Sequence, residues 1–341
     1  MTLPTSSDPG FATARAHPNI ALVKYWGKAD TAQNLPATGS LSMTLDVYPT
    51  TTTVRVDPSL TADRVRLNGT DRDGVVADRV SRLLDDVRAL AGTSSAAHVD
   101  SVNTVPSAAG LASSASGFAA LATAAAAAYG LTLDPRALSR LARRGSGSAA
   151  RSIVPRFAVW HAGSDEESFA EEVTAPDLAM VVATVDTREK AVSSREAMRR
   201  TALTSPFYPA WITSTAESLD AALAACRDGD IERLGRITET NALRMHAVIQ
   251  SCDPPIRYLS PTSVALFDRA VDLRAEGIAA YATADAGPNV VLLCPADVAE
   301  TVRDRVADLA PAVVARPGPG AALLTGDPVS AADAGAPRSG A

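Results

Sequence analysis

A Gly- and Ser-rich segment, PSAAGLASSASG at Pro106–Gly117, separates a predicted strand from a helix that is rich in alanine. Small residues let the backbone approach an anion closely, and the N–H groups at the start of a helix point towards it. Ser113 and Ser114 can donate further hydrogen bonds, although no Lys-Ser/Thr pair follows the glycines as in a Walker A loop. Composition alone leaves two interpretations open, a phosphate-binding loop and a tight connection between strand and helix.

Hydrophobic patterning along the chain predicts a mixture of strands and helices. Strands are predicted at Thr50–Val56, His98–Val105, Ile153–His161, Leu178–Val185, Ile278–Ala284 and Asn289–Cys294. Helices are predicted at Val76–Leu90, Gly117–Tyr129, Leu138–Arg144, Tyr208–Arg227, Ile231–Gln250, Ser263–Glu276 and Ala296–Leu309. We therefore predict an α+β fold with two domains, 1–176 and 177–325, that meet near Pro176. The Ala-, Gly- and Pro-rich tail 326–341 is predicted to be disordered.

Charge and cysteine content argue against several classes of protein. The net charge is −6 and no dense Lys/Arg run is present, so nucleic-acid binding is not expected. Three cysteines without a CxxC pair favour a reducing cytoplasm, and Met1–Gly10 lacks the pattern of a secretory signal. The longest apolar run, Phe118–Tyr129, falls short of the roughly 20 residues that span a bilayer. The four histidines are interpreted as structural, and the acidic stretch Asp165–Glu172 as a solvated loop.

Three further segments carry polar residues in patterns that suit anion binding. Lys24 and Lys28 flank Tyr25, Trp26 and Gly27, and two such charges suit a diphosphate, although an ordinary strand with solvated lysines is the other interpretation. The segment Arg143–Ser152 offers glycines, serines and Arg151, which could grip a carboxylate or could belong to a flexible loop. Asp285 follows a predicted strand within DAGPN, where an aspartate is often only a turn former.

Read together, these segments resemble one family. The motif Pro-x-x-x-Gly-Leu-x-Ser-Ser-Ala is similar to the phosphate loop of the galactokinase/homoserine kinase/mevalonate kinase (GHMP) superfamily. The blocks NIALVKYWGK, NLPxxxSLSxTL, RxGSGSAxRS, AVSSREAM and DAGPN resemble the diphosphomevalonate decarboxylase family and extend over nearly the whole chain. The resemblance implies a two-domain GHMP-kinase-like fold. Its N-terminal domain would be ribosomal protein S5 domain 2-like and its C-terminal domain ferredoxin-like.

The resemblance also implies roles for individual residues. It gives catalytic roles to Asp285 beside a 3-hydroxyl, Arg151 at a carboxylate, and Lys24 and Asn19 near both groups. Substrate-binding positions are Tyr25, Trp26, Gly27, Lys28, Arg79, Ser146, Gly147, Ser148, Ala149, Ala150, Arg151 and Ser194. Nucleotide-binding positions are Ser107, Ala109, Gly110, Leu111, Ala112, Ser113 and Ser114. Arg195 stands where some relatives carry threonine. No metal-ligand set is predicted in the protein itself.

The implied reaction explains why these residue types occur together. A 3-hydroxy acid loses CO2 only with difficulty, because hydroxide is a poor leaving group; phosphorylation of the tertiary alcohol supplies a better one. ATP and Mg²⁺ are the implied cofactors, and phosphoryl transfer depends mainly on positioning and charge stabilisation. Diphosphomevalonate is the implied substrate, and a homodimer is the implied assembly. Three alternatives stay open: a kinase that does not decarboxylate, a decarboxylase of the monophosphate, and a non-catalytic binding protein.

Overall fold

The protein is described here from a computed structural model that covers residues 10–104, 113–188 and 190–324. The predicted disordered tail lies outside these residues. In chain order the strands are β1 (Phe11–Ala16), β2 (Asn19–Val23), β3 (Lys28–Asp30), β4 (Leu35–Pro36), β5 (Ser40–Thr44), β6 (Thr50–Val56), β7 (Arg64–Leu67), β8 (Thr70–Arg72), β9 (Ala97–Asn103), β10 (Phe157–Trp160), β11 (Ala170–Glu172), β12 (Leu178–Ala183), β13 (Tyr281–Ala284), β14 (Val290–Pro295), β15 (Ala312–Ala315) and β16 (Ala322–Leu323). The helices are α1 (Val75–Ala91), α2 (Ser113–Ala128), α3 (Pro135–Gly145), α4 (Ala149–Ser152), α5 (Ser194–Thr204), α6 (Tyr208–Asp228), α7 (Ile231–Gln250), α8 (Pro261–Ala275) and α9 (Ala299–Val306).

The strands form a six-stranded sheet in the order β16-β1-β6-β9-β7-β8 and a four-stranded sheet in the order β11-β10-β5-β2. A second four-stranded sheet, β13-β14-β12-β15, is built from the C-terminal half of the chain, and β3 pairs with β4. The last described strand returns to the first sheet, where Leu323 lies opposite Ala14. The predicted boundary at Pro176 falls in the connection between β11 and β12. The combination of helices with mostly antiparallel sheets confirms the predicted α+β class.

Helix α2 packs against strands β1 and β6 of the six-stranded sheet. Its alanines have small side chains, so the helix axis can lie close to the sheet, and most of them are fully buried. Between the two elements the Thr50 and Ser116 hydroxyls are 2.8 Å apart and form a buried hydrogen bond. This close packing positions the N-terminal end of α2, which belongs to the predicted phosphate-binding segment.

A second core lies between the β11-β10-β5-β2 sheet and the C-terminal sheet. It joins Leu22 and Leu41 to Met180, Leu234 and Leu293, so residues distant in sequence share one apolar interior. Burial of this kind is the main source of stability for such a contact. The contact brings the end of β2 close to the end of β13, and the candidate site is built there.

Several predicted elements have different bounds in the structure. The strand predicted from Ile153 begins only at Phe157, because residues 153–156 form the turn that follows α4, in which Arg156 has a φ of 57°. The helix predicted from Ala296 starts with a 3₁₀ turn, and α9 proper covers Ala299–Val306. Strands β2 and β5 were not predicted. All five residues of each are buried; β2 (NIALV) is mainly an apolar run, whereas β5 (SLSMT) does alternate between polar and apolar residues.

Candidate active site

Lys24 and Asp285 form the central ion pair of the site. Lys24 directly follows β2 and Asp285 directly follows β13, and the Lys24 Nζ lies 2.7 Å from the Asp285 Oδ1. The Lys24 side chain is 1% exposed whereas 30% of the Asp285 side chain remains open. The alternative of a solvated lysine is therefore wrong for Lys24. A buried ammonium needs an anionic partner, which the aspartate provides.

Arg151 and Asn19 form a second buried group beside this pair. The Arg151 Nε donates to the Asn19 Oδ1 at 3.1 Å, and its Nη1 donates to the Ser40 hydroxyl at 2.7 Å. Asn19 in turn donates to the Ser148 carbonyl at 3.0 Å and the Ser152 hydroxyl at 2.7 Å. Arg151 is 3% exposed, so these bonds fix its guanidinium in one orientation. The alternative of a flexible surface loop is therefore wrong for this segment.

Two polar atoms of these groups stay free for a ligand. Within the described ranges, neither the Asp285 Oδ2 nor the Arg151 Nη2 has a hydrogen-bond partner. An ionised carboxylate oxygen accepts a hydroxyl proton, and a guanidinium nitrogen donates to a carboxylate. A hydroxy acid presents both complementary groups.

The charges of the site act on one another across short distances. Burial opposes ionisation of Asp285, but Lys24, Arg151 and Lys190 outweigh it and hold the pKa of this carboxyl below its usual range. Burial lowers the pKa of Arg151 to about 10, while Asp285 acts in the opposite direction. Burial also lowers the pKa of Lys24, against the charge of Asp285. Arg151 and Asp285 therefore lie within electrostatic reach of each other, as convergence on one pocket requires.

A second cationic group consists of Lys28, Arg79 and Arg195. Burial, together with the charges of Arg195 and Arg79, lowers the pKa of Lys28 to about 8. Burial likewise lowers the pKa of Arg79 to about 10, with Arg195 and Arg82 contributing. The Nε atom of Arg79 is buried without a protein partner in the described part of the chain. Mutually repelling cations of this kind are relieved by an anionic ligand.

A cavity of about 270 Å³ lies beside this group. Arg79, Arg82, Arg144 and Arg195 line it, with Asp86 as an acidic neighbour. Four arginines against one carboxylate give the cavity a positive potential that suits a phosphate or diphosphate.

Tyr25 lies close to both parts of the site, the one with Asp285 and Arg151 and the cationic group of Lys28, Arg79 and Arg195. Its ring packs edge-on against Trp160 with 4.8 Å between the ring centroids. Burial raises the pKa of its hydroxyl, whereas Arg151 and Arg195 both act in the opposite direction, so the hydroxyl lies within reach of both charges. The Tyr25 hydroxyl is buried without a protein partner among the described residues. An unpartnered buried hydroxyl costs free energy that a ligand can recover.

The two residues after Tyr25 have different environments. Trp26 is 3% exposed and belongs to an apolar cluster with Trp211, whose Nε1 donates to the Trp26 carbonyl at 2.8 Å. Gly27 has a φ of 122°, and a Cβ there would overlap the Tyr208 hydroxyl. Glycine is the residue that tolerates both constraints. Lys28 follows this turn as the first residue of β3, and the Lys28 Nζ donates to the Asn34 Oδ1 at 2.5 Å.

The Arg143–Ser152 segment contacts both Tyr25 and the first turn of α2, where the nucleotide is predicted to bind. The Ser146 and Ser114 hydroxyls lie 3.2 Å apart, and Gly147 lies against the rings of Tyr25 and Trp160. Ala149 and Ala150 are fully buried in α4. The predicted nucleotide-binding residues Ser107, Ala109, Gly110, Leu111 and Ala112 lie outside the described residues. Ser113 begins α2, and the first turn of that helix carries no acidic residue that would repel a phosphate.

Lys190 and Ser194 lie next to the DAGPN turn. The Lys190 Nζ donates to the Ala286 carbonyl at 2.7 Å and to the Ser194 hydroxyl at 3.0 Å. Sequence reasoning selected Ser194 but missed Lys190 and the charge contribution of Arg195. The composition could have pointed to Lys190, because the chain has only three lysines, Lys24, Lys28 and Lys190, among its 32 Lys and Arg residues. Lysines so rare that all three lie at one site indicate a specific need for a compact point charge.

The acidic stretch after β10 differs from its prediction. The Asp165 carboxylate pairs with Arg140, Arg143 and Arg144, and the side chain of Arg143 is fully buried. These arginines outweigh the effect of burial and lower the pKa of Asp165 to about 2. The solvated-loop interpretation is therefore wrong for Asp165, which holds the end of α3 behind the cationic cavity. No group of His, Cys, Asp and Glu within residues 10–104, 113–188 and 190–324 could hold a metal by itself.

Two family models match most of the chain. Residues 16–170 match the model of the diphosphomevalonate decarboxylase-like N-terminal domain, and residues 180–317 match that of the mevalonate 5-diphosphate decarboxylase C-terminal domain. A diphosphomevalonate decarboxylase of Ganoderma lucidum is 39% identical over 313 residues, which cover 83% of this chain and 78% of the relative. The chain belongs to the diphosphomevalonate decarboxylase family.

Solved structures of this family share the fold throughout. The structure of MDDEF in complex with MVAPP, AMPPCP and magnesium is 44% identical, with a TM-score of 0.88, and covers 92% of this chain and 98% of that one. A structure of the mevalonate diphosphate decarboxylase from Enterococcus faecalis is another match. It is 43% identical, with a TM-score of 0.86, and the match covers 92% of this chain and 98% of that one. The predicted family and GHMP-like fold are thus confirmed. No helix in the described part of the chain is long and apolar enough to cross a membrane.

Proposed function

We propose that this chain catalyses the ATP-dependent decarboxylation of (R)-5-diphosphomevalonate to isopentenyl diphosphate, with ADP, phosphate and CO2 as the other products. The observation that carries the proposal is the arrangement of polar groups at the two ends of the site. A carboxylate oxygen of Asp285 and a guanidinium nitrogen of Arg151 are open at one end, and Lys28, Arg79 and Arg195 form a cationic group at the other. Tyr25 connects them, so a hydroxy acid with a diphosphate tail matches both ends.

The first step is phosphorylation of the substrate's 3-hydroxyl. Asp285 accepts a hydrogen bond from this hydroxyl through its Oδ2, while Lys24 holds the Oδ1. The cations around Asp285 keep the carboxylate ionised, which also makes it a weak base. A weak base suffices when the transition state is loose, because little proton transfer has occurred when the bond to the leaving ADP breaks. The 3-oxygen forms a bond to the γ-phosphorus, and its proton passes to Asp285.

The second step is the loss of phosphate and CO2. The C3–O bond breaks and its electron pair leaves with phosphate, so that positive charge develops at C3. The electron pair of the C1–C2 bond then forms the C2–C3 double bond, and C1 departs as CO2. Arg151 holds the carboxylate in line for this step, since its Nε and Nη1 are fixed by Asn19 and Ser40. Alignment by fixed groups of this kind can supply roughly 7–11 kcal/mol of a barrier.

ATP and Mg²⁺ are the cofactors of the proposed reaction. The N-terminal end of α2 offers backbone N–H groups and Ser114, and no acidic side chain lies in its first turn, so the region fits a nucleotide phosphate. Mg²⁺ usually keeps several waters and takes few ligands from the protein, so the nucleotide phosphates at this position would supply most of its other ligands. When bound, Mg²⁺ would neutralise charge on the transferred phosphate.

Product analysis tests the proposal directly. Purified protein is incubated with ATP, magnesium and diphosphomevalonate labelled at C1, and isopentenyl diphosphate, ADP, phosphate and CO2 are measured. Equal amounts of all four are the expected result. ADP without CO2 would instead identify a kinase, and ATP binding without any turnover would identify a binding protein. A parallel reaction with 5-phosphomevalonate is expected to have a lower kcat/KM, since this substrate lacks the second phosphate that would contact the cationic group.

We further propose a reducing cytoplasm as the site of action and a homodimer as the assembly. Cys226, Cys252 and Cys294 are all buried and unpaired by disulfides, which suits a reducing compartment. The homodimer rests on the family resemblance, whereas the proposed division into domains near Pro176 rests on the hydrophobic pattern of the sequence. Light scattering of the purified protein tests the assembly: a mass of one chain in solution would contradict it.

A further inference from the structure

Strand β13 forms one edge of the C-terminal sheet and pairs only with β14 in the described part of the chain. The backbone groups of alternate residues on its open edge are bonded by side chains instead of by a neighbouring strand. Arg274 donates to the Ala280 carbonyl at 2.6 Å, and Glu239 accepts from the Ala282 N–H at 2.8 Å. The His246 Nε2 donates to the Ala284 carbonyl at 3.3 Å. The last of these bonds lies one residue before Asp285.

Helix α7 contributes two of these three side chains and lies very close to the strand. A Cβ at Gly235 would overlap the ring of Tyr281, so glycine at this position permits the close approach. The same helix also contacts the end of β2. The Asn241 Oδ1 accepts from the backbone N–H of Lys24 at 2.8 Å, and the Asn241 Nδ2 donates to the Thr215 hydroxyl at 3.4 Å.

One helix therefore fixes the backbone on both sides of the central ion pair. His246 holds the residue before Asp285, and Asn241 holds Lys24 itself. His246 is 2% exposed and Asn241 is fully buried, so neither is open to solvent. We propose that His246 and Asn241 are positioning residues that keep Asp285 and Lys24 in the register needed for phosphoryl transfer. The kinetic consequence of this inference rests on the proposed function.

Displacement of a reacting group by about 1 Å can cost on the order of 10²-fold in rate. A merely structural role for His246 would instead lower stability and leave the turnover of folded protein unchanged. Glu239 provides the matched control, because it lies on the same helix and bonds the same strand, but three residues before Asp285. The two residues differ in their distance from the reacting carboxylate.

The kinetic experiment compares His246→Leu, His246→Gln and Glu239→Gln in the full chain, with Asn241→Ala as a second site. We expect His246→Leu to lower kcat by roughly 10- to 100-fold while KM for diphosphomevalonate stays within about threefold. Gln places an amide N–H near the position of the imidazole Nε2, so His246→Gln should recover most of the loss. Glu239→Gln should lower the melting temperature with kcat close to wild type. Asn241→Ala should lower kcat like His246→Leu, which also covers the case that the leucine variant does not fold. Equal kcat in wild type and both positioning variants would overturn the inference.

A titration that needs no turnover separates this inference from the proposed function. The carboxyl ¹³C signal of Asp285, assigned by its absence from Asp285→Asn, reports the environment of the carboxylate. The charged and titratable groups that face it are Lys24 directly after β2, Arg151 in α4, Lys190 in the segment before α5 and His246 in α7. We expect the pKa of Asp285 to rise towards its ordinary value in His246→Leu and to stay unchanged in Glu239→Gln. Identical titrations in wild type and His246→Leu would overturn the positioning role, whereas wild-type protein without turnover would refute only the proposed function.

Discussion

Lys28 should make substrate affinity depend on pH within the range of ordinary assays. Its Nζ is held by the Asn34 Oδ1, and Asn34 in turn donates to the carbonyls of Arg143 and Arg144 at 3.1 and 2.7 Å. Burial together with the charges of Arg195 and Arg79 lowers the pKa of Lys28 to about 8. The ammonium is therefore mostly charged at pH 7 and mostly neutral at pH 9 in the free enzyme.

The direction of the effect follows from the charge of the ligand. A diphosphate binds the charged ammonium, so binding raises the pKa of Lys28, and affinity must fall as pH rises through 8. A hydrogen bond to a charged group contributes about 1.5–3 kcal/mol, which corresponds to roughly 10- to 150-fold in affinity. We therefore expect kcat/KM for diphosphomevalonate to decline above pH 8 by a factor within this range.

Two substitutions separate Lys28 from other titrating groups. Lys28→Arg keeps its charge at all assay pH values, so the decline near pH 8 should disappear. Lys28→Met should already have the reduced kcat/KM at pH 7 and should show no decline near pH 8. The assay is kcat/KM between about pH 6.5 and 9.5 with saturating ATP. Persistence of the decline in Lys28→Met would refute the assignment.

The pKa itself can be measured without catalysis. The chain has three lysines, so protein labelled with ¹³C at the lysine Cε should give three resolved signals. We expect the Lys28 signal, identified by its loss from Lys28→Met, to titrate near pH 8 in the free protein and at higher pH with diphosphomevalonate bound. A Lys28 that titrates at the ordinary lysine value of 10.5 would contradict the electrostatic reasoning.

Four other substitutions test neighbouring parts of the site. Tyr25→Phe should raise KM for diphosphomevalonate roughly 2- to 10-fold without lowering the thermal stability of the free protein, because the lost hydroxyl has no protein partner. Arg151→Lys should lower kcat/KM by roughly 10- to 100-fold, measured at fixed ATP, since a point charge cannot replace the fixed guanidinium. Asp165→Asn should cost about 2 kcal/mol in urea unfolding at pH 7; in wild type this contribution is present above pH 3.8 and lost as pH falls towards 2. Gly27→Ala should cost about 1–3 kcal/mol in the same assay, because its φ is 122° and Tyr208 occupies the space.

The sequence predicted the polar groups of the site better than the way they meet. Lys24, Arg151 and Asp285 are recognisable from the family blocks in which they stand. Their convergence depends on the shared core between two sheets, and the Lys24–Asp285 bond beside it joins residues 261 positions apart. No local pattern encodes such a contact, so the sequence could only imply it through resemblance.

Other features were missed for identifiable physical reasons. Strand β2 (NIALV) is buried on both faces and lacks the alternation that identifies a half-exposed strand, whereas β5 (SLSMT) alternates and was recognisable from its pattern. Asp165 lies in an acidic run that looks solvated, and only the fold brings three of the four arginines of α3 against it. Lys190 was overlooked although the scarcity of lysine in the chain marks it. Charge pattern thus identifies exposed groups well and buried ion pairs poorly.

The most direct test of the central claim is the behaviour of Asp285→Asn with both substrates. An amide keeps the size of the carboxylate but cannot accept the hydroxyl proton, so turnover should fall by about 10²–10⁴-fold. Calorimetric affinity for diphosphomevalonate should stay close to wild type, because Arg151 and the cationic group of Lys28, Arg79 and Arg195 are intact. Wild-type turnover in this variant would contradict the role of Asp285. Loss of both binding and turnover would contradict the assignment of chemistry to Asp285 and of substrate binding to Arg151 and the cationic group.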